Sequence, residues 1–90
     1  MIIISYDIKD DKLRTKFSKM LSKNGAIRLQ FSVYEVNNTG RIIENIKIQI
    51  KDKYGKLFTP DDSVVIFEVS NTQVIKFGNA IHRDKEIVYL

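Results

Sequence analysis

The first seven residues, Met1-Ile2-Ile3-Ile4-Ser5-Tyr6-Asp7, constrain this chain more than any other stretch. Four apolar residues run without a break into Ser, Tyr and an acid. A short, continuous, β-branched apolar run is the pattern of a strand buried on both faces. Such a strand belongs in the middle of a sheet. Asp7 falls where that run ends. A carboxylate there is costly to desolvate unless it is paired, hydrogen-bonded or bound to a cation.

Ninety residues make one domain, 1–90, with no room for a second core. At 43% hydrophobic the chain can bury a core, and a dimer interface would bury more. Cys is absent, which excludes disulfides, Cys-ligated zinc and thiol catalysis and fits a cytoplasmic protein. No apolar run approaches the roughly 20 residues of a membrane span, so a soluble chain without membrane contact is expected. The formal net charge is +4, and the excess is local. Residues 9–28 carry Lys9, Lys12, Arg14, Lys16, Lys19, Lys23 and Arg28 against Asp10 and Asp11. A basic segment of this kind points to an anionic partner, most simply a nucleic-acid backbone, or equally to a solvated lysine face.

Residues 2–7 form the first strand. Asp10-Asp11 is a natural helix start, because acids accept the free N-terminal amides and suit the dipole. Leu13, Phe17, Met20 and Leu21 recur on one helical face, and Lys12, Lys16, Lys19 and Lys23 on a flanking one. Asn24-Gly25 ends the helix. Ala26 to Val36 is extended, with a phase shift after Ser32 that predicts a bulge, a bend or a hairpin without Gly. Asn37 to Gly40 is a turn and cap cluster. Ile42, Ile43, Ile46, Ile50 and Tyr54 fit a second helix. Ile46 to Ile50 also alternates like a strand, and topology favours the helix. Gly55 to Asp62 is a loop, Ser63 to Ser70 a buried strand, and Gln73 to Phe77 and Glu86 to Leu90 further short strands. The order strand, helix, strand, strand, helix, strand is the α+β ferredoxin-like plan, βαββαβ. It predicts an antiparallel sheet with two helices on one face, residues 2–6 beside 64–69, and C-terminal strands beyond the basic plan.

There is no Gly-rich phosphate loop, HExxH or Ser-His-Asp pattern. His82, the one histidine, sits in a polar stretch and reads as a surface residue. Any metal would be a hard cation on oxygen ligands. Asp7 is the acid without an ordinary turn or cap explanation. Taken alone it stays open between a strand-end ion pair with a nearby Lys or Arg and a functional carboxylate. A two-fold dimer would supply two carboxylates from this one position.

Tyr6-Asp7-Ile8 followed by Asp10-Asp11-Lys12-Leu13-Arg14 resembles the YDI-x-D-D-x-x-R opening of the CRISPR-associated protein-two family. Gly25 to Glu35, with Arg28, Gln30 and Ser32-Val33-Tyr34-Glu35, resembles that family's second strand pair. Asp62 to Phe67 and the chain length agree. The resemblance implies a ferredoxin-like homodimer that partners the CRISPR integrase, binds duplex DNA and serves spacer acquisition. It further implies a Mg²⁺-dependent endonuclease activity on RNA or DNA, with one Mg²⁺ per dimer shared by the two Asp7. Asp7 and Tyr6 would then be the catalytic positions, and Lys12, Arg14, Lys16, Lys19 and Arg28 the nucleic-acid contacts. Tyr34 and the Ile87-Val88-Tyr89-Leu90 strand would contribute to interfaces. Tyr34 replaces the family's commoner Phe, and Lys16 stands where some members have Arg. The scaffold role is favoured over catalysis. A free-standing toxin-like ribonuclease and a non-catalytic interaction module of the same fold are the alternatives.

Overall fold

A computed structural model describes residues 1–78. Strand β1 (Ile2–Asp7) is followed by helix α1 (Asp11–Lys23), strands β2 (Ile27–Gln30) and β3 (Val33–Val36), helix α2 (Gly40–Gln49) and strand β4 (Ser63–Glu68). The sheet order is β2-β3-β1-β4, and every neighbouring pair is antiparallel. This is the expected βαββαβ architecture, with both helices on one face.

The apolar run at the start sits where its composition demands. Ile4 lies opposite Tyr34 on one side and Ile66 on the other. Ile2, Ile4 and Tyr6 point to the helices and are buried. Their alternates differ: Ile3 and Ser5 are only half-buried, and Asp7 is exposed. The helices cover one face, so within one chain β1 is buried on that face alone. The opposite face carries Val65 and Phe67 of β4, both exposed, beside Ser5 and Ile3.

Helix α1 begins at Asp10, whose Oδ2 accepts from the Leu13 amide at 2.8 Å. It buries Leu13, Phe17, Met20 and Leu21, the four positions its periodicity picked out. Gly25 takes φ +83° just beyond Asn24, the left-handed geometry Gly allows without a Cβ clash. Phe17 sits in an aromatic cluster, with Tyr6 at 4.8 Å and Tyr54 at 5.4 Å between ring centroids. The phase shift in residues 26–36 resolves into two features. Phe31-Ser32 is a turn, and Arg28 and Gln30 oppose the consecutive residues Tyr34 and Val33. Leu29 is therefore the extra residue of a bulge, and it turns into the core.

Helix α2 starts at Thr39, whose hydroxyl accepts from the Ile42 amide. The strand-or-helix ambiguity at Ile46 to Ile50 is settled by Ile48. A strand would place Ile46, Ile48 and Ile50 on one face. Instead Ile46 is fully buried, Ile50 packs on the core and Ile48 is 54% exposed. The regular α-helix stops at Gln49, and the rest of the expected helix, to Tyr54, has a different winding. Ile50–Tyr54 forms a π turn in which the Gly55 amide donates to the Ile50 carbonyl, and Gly55–Leu57 a 3₁₀ turn. The widened turn places Tyr54 in the core, its hydroxyl donating to the Lys16 carbonyl at 3.4 Å.

The strand expected over Gln73 to Phe77 is not formed. Asn71–Gln73 is a 3₁₀ turn closed by a reciprocal cap, the Ser70 amide donating to Gln73 Oε1 at 2.7 Å. That cap bends the chain where a strand would have to continue. Lys76 then pairs with Glu35, which is 8% exposed on the sheet face away from the helices. His82 and the expected Glu86 to Leu90 strand lie outside the described residues.

Candidate nucleic-acid interface and the Asp7 carboxylate

Asp7 ends β1 opposite Ser63 of β4. Its carboxylate already has a cation: Lys9 Nζ lies 3.1 Å from both Oδ1 and Oδ2. The two side chains are exposed. Lys9 is itself fixed through its backbone, since its amide donates to Asp62 Oδ1 at 2.9 Å. Asp62 Oδ2 accepts from the Thr59 amide at 2.8 Å. The Lys9 amide first, then the Thr59 amide, hold the Asp62 carboxyl below the usual carboxylate range. Asp62 thus ties the loop before β4 to the loop after β1. Its position in Thr59-Pro60-Asp61-Asp62 signalled a turn and gave no hint of the long-range bond.

Among the described residues, no three His, Cys, Asp or Glu side chains gather for a metal. Mg²⁺ needs several oxygens in near-octahedral geometry. One exposed carboxylate beside an ammonium does not meet that need within a single chain; the Mg²⁺ that the resemblance implies would be held by the Asp7 of two copies.

Tyr6 and Tyr34 belong to the core. Tyr6 is 6% exposed and Tyr34 2%. Their rings stack at 6.1 Å, and the Tyr34 hydroxyl shares a 2.9 Å hydrogen bond with Ser18 Oγ. Burial first, and the neighbouring Tyr34 phenol next, push the Tyr6 phenol up to about 12. It stays protonated at neutral pH. Tyr34, expected at an interface, offers almost no surface in this chain.

The basic residues divide into two kinds. Arg14 is committed to the fold. Its guanidinium donates to the Ile8 carbonyl at 3.0 Å and pairs with Asp11. Lys12, Lys16, Lys19 and Lys23 are exposed, and among the described residues none of their ammonium groups has an ion pair. They edge two adjoining surface cavities. One, of about 460 Å³, lies between the start of α1 and Thr59, with Leu13 and Leu57 in its lining. The other, of about 500 Å³, lies between α1 and the π turn, with Lys53 on its far side. Lys16 and Leu57 line both, so the two form one basic trough. Lys53, which the basic run of residues 9–28 did not include, enters because the π turn brings it round.

Arg28 stands apart at the hairpin end. Its guanidinium lies 5.1 Å from the centroid of the Phe31 ring, which is 70% exposed. Phe31 is an aromatic surface that its alternation with Ile27 and Leu29 hid: the bulge turns it out while Leu29 turns in.

Comparison with known proteins bears on the family and the fold. The family model for CRISPR associated protein Cas2 matches residues 1–76. A protein named CRISPR-associated endoribonuclease Cas2 1, from Methanospirillum hungatei, is 31% identical over 70 residues, covering 78% of this chain and 70% of that one. The crystal structure of a hypothetical protein, TT1823 from Thermus thermophilus, is similar with a TM-score of 0.62 at 28% identity, covering 78% of this chain and 80% of the other. The chain belongs to the Cas2 family, whose general role lies in CRISPR adaptation.

Proposed function

We propose that this protein is a duplex-binding scaffold of spacer acquisition, acting as a homodimer beside the CRISPR integrase. The carrying observation is the row of lysines along α1, without an ion pair among the described residues, which edges the trough between the two helical segments. Phosphate oxygens are the natural counterions for such a row, and they carry no base sequence. Arg28 with exposed Phe31 adds a cation and a flat ring at one end of the sheet. The exposed Val65 and Phe67 on the sheet face without helices support a second copy as partner, because a large apolar patch on a small domain favours association.

Fluorescence anisotropy with two duplexes of unrelated sequence, at several salt concentrations, tests the duplex part. Comparable affinity for both and a steep fall with salt are expected. Absence of binding at low salt, with and without integrase, rejects it. Endoribonuclease activity stands second, supported by the name of the Methanospirillum hungatei relative. It calls for two Asp7 carboxylates from two copies and a shared Mg²⁺. Mg²⁺-dependent cleavage of RNA that persists in Asp7→Ala would assign the activity to something else.

A further inference from the structure

We propose that Lys9 is the resident cation of Asp7, and that its ammonium holds the carboxylate against divalent ions. Four observations converge on Lys9. Its Nζ straddles both carboxylate oxygens at 3.1 Å, so any cation binding either oxygen does so beside a positive charge. Ile8, between the two, is buried and pins the chain. The Lys9 amide is bound to Asp62 Oδ1 at 2.9 Å, and Asp62 is bound in turn to the Thr59 amide at 2.8 Å. The backbone that delivers the ammonium is therefore fixed, and the pair forms between two exposed side chains whose Cα positions are held. Finally, the neighbouring acids are already engaged. Asp10 caps α1 through the Leu13 amide, and Asp11 pairs with Arg14. Asp62 faces Lys9 as well, with both of its oxygens taken by backbone amides.

The consequence differs from that of a bare acid. A divalent ion approaching Asp7 meets an ammonium a few ångströms away and is repelled by it. Two copies brought together at this strand end meet as neutral pairs, without the repulsion of two bare carboxylates. Lys9 is thus a positioning residue that sets how weakly Asp7 holds a metal, whether or not the chain binds nucleic acid.

Titration with Mn²⁺, followed by the electron paramagnetic resonance of the free ion, tests this on the full chain without any activity assay. Lys9→Met keeps most of the aliphatic stem and removes the charge. It is expected to tighten Mn²⁺ binding by roughly threefold to tenfold, from the repulsion of an ammonium and a divalent ion about 5 Å apart in screened water. Lys9→Arg should bind like wild type. Adding Asp7→Asn to Lys9→Met should abolish the gain. A Lys9→Met affinity equal to or below that of wild type overturns the proposal, and so does binding by neither protein. A gain that survives Asp7→Asn overturns it too. If Lys9 served only to hold its loop through its backbone amide, Lys9→Met would keep that bond and leave Mn²⁺ affinity unchanged. Duplex affinity measured on the same variants keeps this outcome separate from that of the scaffold role.

Discussion

Replacing Lys12, Lys16, Lys19 and Lys23 by Gln separates a binding surface from a solvated one. At 100° per residue the four side chains fall within an arc of about 60° and span about 16 Å of α1. None has an ion pair among the described residues, so neutralising them breaks no such pair there. Gln matches Lys closely in helix propensity, so the fold should stay within about 0.5 kcal/mol of wild type. Each phosphate contact contributes about 0.9 to the slope of log affinity against log salt. Losing four should flatten that slope by about 3.6 per chain in contact. Between 50 and 200 mM salt, the salt-driven loss of affinity should then shrink by a factor on the order of 10². The assay is anisotropy over that salt range, with thermal melts as the control for folding. Arg14→Gln is the contrast. Its guanidinium is spent on the Ile8 carbonyl and Asp11, so it should lower the melting temperature more than it changes the slope. An unchanged slope in the quadruple variant, with the fold intact, would refute the lysine row as a phosphate-binding surface.

Three further outcomes follow from groups inside the fold. Tyr6 has its phenol pushed up to about 12 from an ordinary 10, so its contribution is present below pH 10 and lost as pH rises through 12. Urea unfolding of wild type and Tyr6→Phe should therefore converge by about 2–3 kcal/mol in the variant's favour across that window, and a constant difference would contradict the burial argument. Lys76→Met leaves Glu35 nearly buried without its cation, and should cost about 2 kcal/mol in urea unfolding, less than for a fully buried pair. Adding Glu35→Gln should recover most of that loss, and failure to recover it would mean Lys76 stabilises by packing. Asp62→Ala removes the acceptor of the Lys9 and Thr59 amides and should lower the melting temperature by several degrees. Because the Asp62 carboxyl is held low, its contribution is present above the ordinary carboxylate range and fades as pH falls through its own lower value. The wild-type advantage should thus narrow in acid.

The fold was readable where one interaction dominates a stretch. The central place of β1, the Leu13, Phe17, Met20 and Leu21 face of α1 and the Asp10 cap each rest on local periodicity or capping and are found as expected, whereas the second buried face of β1 is not formed within one chain. Readability fails where two local signals compete. Ile46 to Ile50 satisfied both periods, and tertiary packing of Ile46 and Ile50 chose the helix. Gln73 to Phe77 looked extended, yet Ser70 and Gln73 formed a local cap that alternation does not encode. The π turn was unreadable for a similar reason: one extra residue in a helix leaves the apolar spacing almost unchanged, while it moves Lys53 to the trough.

The site shows a sharper limit, because spacing gives a residue's place and burial gives its use. Asp7 and Lys9 are two apart, and the ion pair open to Asp7 from sequence is the one that forms. What holds the Lys9 backbone is Asp62, which is 53 residues from Lys9 and whose turn position suggested only local bonds. Tyr6 and Arg14 resemble family positions linked to activity or nucleic-acid contact, yet one phenol is sealed in the core and one guanidinium is tied to a loop carbonyl. The four α1 lysines stood out in the sequence only by sharing one helical face; in the structure that face edges the trough and none of the four has an ion pair among the described residues. Charge that the fold has already consumed cannot also hold a partner at full strength. The α1 lysines, without an ion pair among the described residues, therefore have charge to give a phosphate backbone, and Asp7 has for a metal only what Lys9 leaves it.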